Sequence, residues 1–342
     1  MSAYFIRRFL LIIPTFIGIT LLVFAVTRVV PGGPIERMMT SALVSGEQSA
    51  GRRDTQSGNT LSEEQIKQLE AYYGFDKPLL ESYTHWLGRV LQFDLGESSR
   101  YHDPVWSIIK ERFPVSIFYG LTTLFITYLV CIPLGVSKAL HHNSFLDNAS
   151  SAVIFLGYAL PSYVVGIALV SLFAANWDIF PLGGFVSDDY DDLSTWEKFK
   201  DIFYHGTLPL IAYMAGSFAV TTFMMKNALM DNQAADYMRT AAAKGLTRSK
   251  AVWQHAFRNS LIPIATSFGG NIAFFMSGSF LIETIFNIDG IGLLGYEAIL
   301  ERDYPVVLGI LVITSLLFLI GNIISDFLVA LVDPRIRFGE AR

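Results

Sequence analysis

Six stretches of this 342-residue chain carry no charged side chain: Phe9–Thr27, Pro114–Ser137, Ala149–Asn176, Thr207–Met225, Ser260–Ile282 and Tyr304–Ser325. A helix rises about 1.5 Å per residue, so each is long enough to cross the roughly 30 Å of a bilayer's hydrocarbon core. Lipid offers the backbone no hydrogen-bond partners, which leaves helices or closed barrels as spanning structures. Unbroken apolar runs of this length, without period-two alternation, predict an all-α polytopic membrane protein with six transmembrane helices. Composition agrees, with 52% apolar and only 16% charged residues. The single cysteine, Cys131, lies inside the second run, so neither an internal disulfide nor a cysteine metal cluster is available.

Arg7 and Arg8 before the first run resemble the start of a secretory signal, with Ala25 and Thr27 as small residues near its end. The run exceeds a usual signal core, and Arg28 follows without an A-x-A site, so an uncleaved anchor helix is expected. Orientation follows from the cations. Placing the N-terminus inside makes the first eight residues, Lys138–Asn148, Lys226–Asn259 and the tail from Asp326 cytoplasmic; these hold 12 Lys or Arg against 6 Asp or Glu, and the remainder 13 against 24. The positive-inside bias therefore predicts both termini in the cytoplasm. The net charge of −5 hides this asymmetry, and basic residues spread over bilayer-flanking loops do not form a nucleic-acid surface.

The organisation expected is an anchor helix with its cytoplasmic end (1–30), an extracytoplasmic segment (31–111), a core with five spans (112–332) and a cytoplasmic tail (333–342). The extracytoplasmic segment opens on the turn-forming PGGP at Pro31–Pro34. Thr40–Asn59 is polar and aperiodic, which predicts a flexible stretch. Ser62 as a cap with Ile66, Leu69, Tyr72 and Tyr73 on one face predicts a helix, and Tyr83, Trp86, Leu87, Val90 and Leu91 a second, together forming a small helical cap on the outer surface. Asp188, Asp189, Asp191 and Asp192 lack the glycine and terminal glutamate of an EF-hand loop, and read as a solvated acidic loop rather than a calcium site.

The loop 226–259 holds most of the segment Asp236–Pro263, DYMRTAAAKGLTRSKAVWQHAFRNSLIP: a small-residue helix, a glycine break and a basic helix running into the next span. Ala241, Ala242 and Ala243 leave a smooth surface that a partner can approach closely. Asp236, Arg239, Thr240 and Lys244 surround it with polar groups, and Gly245 permits a left-handed helix stop. A peg gripped by a partner protein and an amphipathic helix resting on the anionic inner leaflet both fit this composition.

Catalytic motifs are missing. There is no GxxxxGK[ST] phosphate loop, no HExxH and no GxSxG; His141 and His142 are adjacent rather than spaced as ligands, and His255 sits in the basic helix. Gly290, Gly292 and Gly295 spell GIGLLG, a literal dinucleotide fingerprint, but no parallel strand precedes it and Ile310 stands where an acidic residue is required. These glycines, with Asp289, are expected instead to form a re-entrant turn over Asn287–Arg302 on the extracytoplasmic side. Charge is scarce within the spans: Arg28 and Glu283 sit near span ends, and Asp326 is near the last one. Proton-driven transporters hold ionisable relays at depth, so this scarcity argues against a secondary transporter or channel acting alone. Absent nucleophile and metal motifs argue against an intramembrane enzyme.

Several segments together carry a family resemblance. YFIRRFLLIIPT at Tyr4, PGGP at Pro31, YGFDKPL at Tyr73, FDLGES at Phe93 and RFPVSI at Arg112 are followed by YALPSY at Tyr158 and HGTLP at His205. YMRTAAAKGL at Tyr237, HAFRNSLIP at His255, LIETIFNIDGIGLLGYEAI at Leu281 and LVDPRI at Leu331 complete the set. Over nearly its whole length the chain resembles the B-type permeases of dipeptide and oligopeptide ABC importers, with the Yej-type branch most similar through its long first external segment. The resemblance implies a type I ABC importer permease fold and a non-catalytic subunit that holds no cofactor. ATP and Mg would bind one or two partner ATPase subunits pressing on the coupling loop. It further implies a homologous second permease, an extracytoplasmic peptide-binding protein and a peptide substrate, peptide antibiotics such as microcin C included; nickel or glutathione are alternatives within the family. In the permease signature EAA-x3-G, Arg239 stands for the glutamate and Thr240 and Ala241 for the alanines, while Gly245 is kept.

Overall fold

The computed structural model describes residues 2–29 and 77–333. The PGGP turn, the Thr40–Asn59 stretch, the helix expected from Ser62 and the tail beyond Asp333 lie outside the described residues. Within them the regular structure is helical, apart from one isolated bridge between Glu97 and Pro104. The helices are α1 (Ser2–Val29), α2 (Leu79–Val90), α3 (Val105–Leu140), α4 (Phe145–Ala159), α5 (Ser162–Leu169, continued by a π-helical turn to Asn176), α6 (Thr195–Ala234), α7 (Asp236–Ala243), α8 (Arg248–Ala251, continued by a π-helical turn to Ala256), α9 (Phe257–Met276), α10 (Phe280–Ile285), α11 (Ile291–Leu300) and α12 (Tyr304–Val332).

Among the described residues, five helical segments are long and apolar enough to cross a membrane: Ile6–Ala25, Val105–Leu140, Thr195–Ala234, Arg248–Ile285 and Tyr304–Val332. The sixth expected span is not one straight helix. Phe145–Ala159 and Ser162–Asn176 meet at 97°, so the apolar run at Ala149–Asn176 makes a sixth span only if this bent pair is counted as one. The cause is local. Pro161 drives the residue before it out of the helical region, and Leu160 is extended at ψ 132° with Pro161 itself at ψ 139°.

The described chain divides into two compact units: Met1–Ile12, Arg112–Leu293 and Leu316–Arg342 form one, and Ile13–Glu111 and Leu294–Ser315 the other. In the second unit, α2 packs on α1. Tyr83 is buried with its hydroxyl 2.9 Å from Thr20 Oγ1 and donating to the Ile17 carbonyl at 3.1 Å, and Phe24 stacks near both Tyr83 and Trp86. The second helix of the expected cap therefore lies along the apolar run of α1, and Leu91, expected on its packed face, falls beyond the helix and is exposed. The FDLGES segment turns through left-handed Phe93 and Gly96, which lets Ser98 Oγ and the backbone N–H groups of Ser99 and Arg100 converge on the buried carboxylate of Asp303.

The first unit holds two apolar cores. One gathers Tyr119, Leu208, Leu210, Ile282, Phe286 and Ile288; the other gathers Val136, Met225, Leu229, Val252, Ala256 and Ile264. Beside the second lies a feature that composition concealed. Lys138 and Asp147, assigned to an open cytoplasmic turn, are each only 2% exposed at the side chain. Lys226 donates to both carboxylate oxygens of Asp147 at 2.8 Å, and Lys138 lies 3.0 Å from Oδ1 while also donating to the Asp147 carbonyl and to Ser150 and Ser151. The Asn143 N–H completes the carboxylate's shell at 3.0 Å. Lys138 has an acceptor for each ammonium proton and Lys226 spans both carboxylate oxygens, and this pairing is what permits two lysines to be buried around one aspartate.

Breaking one member of such a cluster strands the others. Asp147→Ala is expected to cost about 3–5 kcal/mol and to lower the Tm of the detergent-solubilised protein, whereas adding Lys138→Met and Lys226→Met should recover much of the loss. An unchanged Tm for Asp147→Ala would show that the cluster contributes nothing to stability.

Candidate functional site

Three features of the first unit carry functional geometry: a solvent-facing helix, a glycine-walled carboxylate and a cavity. The helix is α7. Helix α6 runs for 40 residues and carries Lys226–Ala234, part of the presumed loop, as its own continuation. It stops at Ala235, whose ψ of 150° turns the chain into α7. The corner is tied by Tyr237, whose hydroxyl donates to Asn232 Oδ1 at 2.6 Å, while Asn232 Nδ2 reaches Ser260 Oγ at 3.2 Å. At the other end the chain reverses at Gly245, with φ 86°: its N–H donates to the Ala242 carbonyl and the Leu246 N–H to that of Ala241, the paired bonds of a Schellman stop.

Only part of the alanine surface is open. Ala241 is buried and Met238 packs into the apolar core with Val252 and Leu229, so Ala241 anchors α7 to its own unit instead of facing a partner. Ala242, Ala243, Thr240, Lys244 and Gly245 are exposed, and beside them Arg239 and Asp236, 84% and 96% exposed, form a loose pair at 3.6 Å. The Arg258 guanidinium, on the helix that follows, donates to the carbonyls of Leu331 and Val332 and so caps the end of α12.

The carboxylate is Glu283. Expected close to a span end, it is instead 1% exposed and fully engaged: Oε1 accepts from the Tyr213 hydroxyl at 3.1 Å and the Ser279 N–H at 3.0 Å, and Oε2 from the Leu293 N–H at 2.6 Å. Leu293 lies in the first turn of α11, where free N–H groups favour an anion. This accounts for the glycines of GIGLLG. A β-carbon on Gly290 would stand 2.6 Å from the Glu283 carboxyl carbon, and one on Gly292 2.7 Å from the Ser279 nitrogen. Neither adopts positive φ; the corners of the segment are turned by Asn287 at φ 49° and Arg302 at φ 55°. Gly290 and Gly292 therefore serve close approach rather than left-handed corners. They make room for a carboxylate, and Gly295 lies inside α11 with only an ordinary contact to Ile310. Asp289 pairs with Arg112 at 2.7 Å and the Ile291 N–H donates to Ser116 Oγ at 2.9 Å, so the RFPVSI segment clasps the same hairpin.

The cavity, about 400 Å³, opens between the start of α5, α6 and the α9–α10 break. From α6 it is lined by Tyr213, Gly216, Ser217, Val220, Thr221 and Met224; from α9 by Ser267, Asn271, Phe274 and Phe275. Ser162, Gly278, Ser279 and Ile282 close it, and no lining residue is charged. Asn271 Nδ2 donates to the Tyr128 hydroxyl at 2.9 Å. Reading the sequence for charge missed this wall, although its polar residues recur at helical spacing, 213, 217, 221 and 267, 271, inside otherwise apolar runs. Among the described residues, no group of His, Cys, Asp and Glu is arranged to hold a metal ion.

A membrane bundle with an uncharged internal cavity and an exposed helix on the extension of one cavity-lining span has the parts of a transport subunit. Residues 131–338 match the family described as binding-protein-dependent transport system inner membrane component. The chain belongs to that family. Among its relatives, the peptidoglycan transport system permease protein YejB of Agrobacterium fabrum is 40% identical, covering 99% of both chains. The inner membrane ABC transporter permease protein YejB of Escherichia coli O157:H7 is 39% identical over the same shares. The dipeptide transport system permease protein DppB of Escherichia coli K12 is 34% identical over 98% of this chain and 99% of its own length. The family match spans α7, the Glu283 hairpin and the cavity alike, so all three features belong to this multi-pass membrane transport component.

Gly290→Ala is expected to lower the Tm of the purified protein by several degrees, because a β-carbon there must displace a buried carboxylate. Gly295→Ala, in open helix, should leave it unchanged or raise it. Equal effects of the two substitutions would refute the cradle.

Proposed function

We propose that this chain is the permease subunit of an ATP-driven importer of peptides, forming half of a translocation pathway by alternating access with a second, homologous permease. The observation that carries the reading is the combination of full-length similarity to YejB and DppB permeases with an exposed, rigidly anchored α7. Substrate would arrive on an extracytoplasmic binding protein, and ATP would be bound and hydrolysed on one or two partner ATPases gripping α7. Closure of the ATPases would favour the outward-open state and hydrolysis would release it.

The distribution of charge supports an external energy source. The buried Glu283 and Asp147 are engaged in hydrogen bonds and ion pairs, and among the described residues no open chain of carboxylates runs through the spans for protons. The exposed face of α7 suits insertion into a protein groove. Ala242 and Ala243 present little bulk, and the exposed face has no large apolar side chain besides Tyr237 to sink into lipid, which disfavours the leaflet-bound alternative.

Ala242→Glu tests the coupling role. The side chain is already exposed, so the fold should be untouched, while a bulky charge in a partner's groove should weaken docking by about 2–4 kcal/mol. The expected result is normal insertion and pairing with the second permease but lost ATPase association or uncoupled hydrolysis, with Ser249→Ala as a silent control. Wild-type peptide uptake by an intact Ala242→Glu complex would remove α7 from the mechanism. For orientation, in a Cys131→Ser background, a cysteine replacing Ser194 is expected to react with a membrane-impermeant thiol reagent in intact cells and one replacing Ser249 to stay protected; the opposite pattern would invert the topology.

A further inference from the structure

The cavity walled by α6 and α9 has a composition that selects its occupant. It lies within the apolar runs Thr207–Met225 and Ser260–Ile282, in the part of the chain that crosses the bilayer, yet its wall is neither charged nor purely apolar. Its volume falls in the range of ligand pockets, roughly 300–1,000 Å³. Three hydroxyls of the wall are spent on the protein. Ser217 and Ser267 donate to the carbonyls of Met214 and Ile264, and the Tyr213 hydroxyl accepts from the Ser279 N–H while donating to Glu283. Asn271 differs. Its Nδ2 is held by Tyr128, which fixes the plane of the amide, while among the described residues no donor reaches its Oδ1. A side-chain amide locked at one end and open at the other in a low-dielectric wall is a preorganised acceptor for an N–H group.

We infer that this cavity is a subsite for the main chain of the transported peptide, with Asn271 Oδ1 accepting a peptide N–H and Gly216 providing the clearance for the chain to lie against α6. The assignment rests on the peptide-import reading. It explains why the wall lacks charge: a fixed carboxylate or ammonium here would hold peptides of opposite charge and repel those of like charge, whereas amide and hydroxyl dipoles against apolar side chains treat all side chains alike. Phe274, largely exposed, and Met224 supply the deformable apolar surface that side chains of varied shape require. Asn271 is a specificity residue for the backbone, and Tyr128 is the positioning residue behind it.

Gly216 makes the test clean, because a β-carbon there meets nothing within 4 Å, so a larger side chain fills the cavity without displacing the fold. The complete importer, reconstituted in liposomes with its binding protein, is assayed for uptake of labelled tripeptides and for ATP hydrolysis. Gly216→Leu is expected to lower the maximal uptake rate, and Asn271→Leu to raise the KM for uptake, each by about tenfold. Hydrolysis should persist in both. Tyr128→Phe, which frees one end of the amide but keeps its acceptor, should raise KM by less, about threefold, and Gly18→Leu, on an open face of α1, should not alter uptake. Wild-type uptake by both Gly216→Leu and Asn271→Leu would overturn the assignment, as would a Tyr128→Phe change as large as that of Asn271→Leu, which would make the amide structural. A wild-type complex that hydrolyses ATP but takes up no peptide would overturn the import reading itself, and the subsite with it.

Discussion

Hydrocarbon supplies no hydrogen-bond partners, and the architecture of the first unit is organised around its buried charged groups, Glu283 and Asp147. Glu283 draws an N–H from the α9–α10 break, an N–H from the first turn of α11 and a hydroxyl from α6 onto one carboxylate. Asp147 does the same with two lysines from α3 and α6. In each case a single buried charge fixes several helices that apolar packing alone would let slide, because any displacement strands an ion. Such clusters are costly to assemble and costlier to break, which suits them to registering helices in lipid, where hydrophobic driving force between spans is weak.

The same physics links the ends of the molecule. Helix α6 is continuous from Thr195 to Ala234, so the cavity wall at Tyr213–Met224, the Lys226 contact and the corner leading to α7 ride on one rod. α7 is fastened to that rod by Ala241, Met238 and the Asn232–Tyr237 hydrogen bond, with a Schellman stop closing its far side. A push on the open face at Ala242 and Ala243 has few soft elements through which to dissipate before it reaches the wall of the cavity. Tyr213 adds a second link, since its hydroxyl joins that wall to Glu283 and hence to the glycine-lined hairpin.

Much of this was legible in the chain. Charge-free runs located the spans, and the DYMRTAAAKGL segment announced a short exposed helix with a glycine stop. The failures have physical causes. The run Ala149–Asn176 is apolar throughout, so counting charge could not register the 97° bend that Pro161 imposes. That Lys138, Asp147 and Glu283 are buried could not be read from the chain, because burial of a charge depends on partners distant in sequence: Lys226 is 79 residues from Asp147, and Tyr213 is 70 from Glu283. Ala241 and Ala242 are alike as residues, and only the packing of Met238 and Val252 decides which of them turns inward.

By itself the sequence determined the solvent. Long apolar runs dictate helices in lipid, proline and glycine dictate where those helices can break, and no fold avoids either constraint. The tertiary structure alone decided which polar groups meet. Gly290 and Gly292 spell a nucleotide motif in one dimension and a carboxylate cradle in three, and Asn271 is one polar residue among many until Tyr128 holds one end of its amide and leaves the other open. Local chemistry is written residue by residue, but hydrogen bonding in a medium without water is a property of pairs, and the pairs form only when the helices pack.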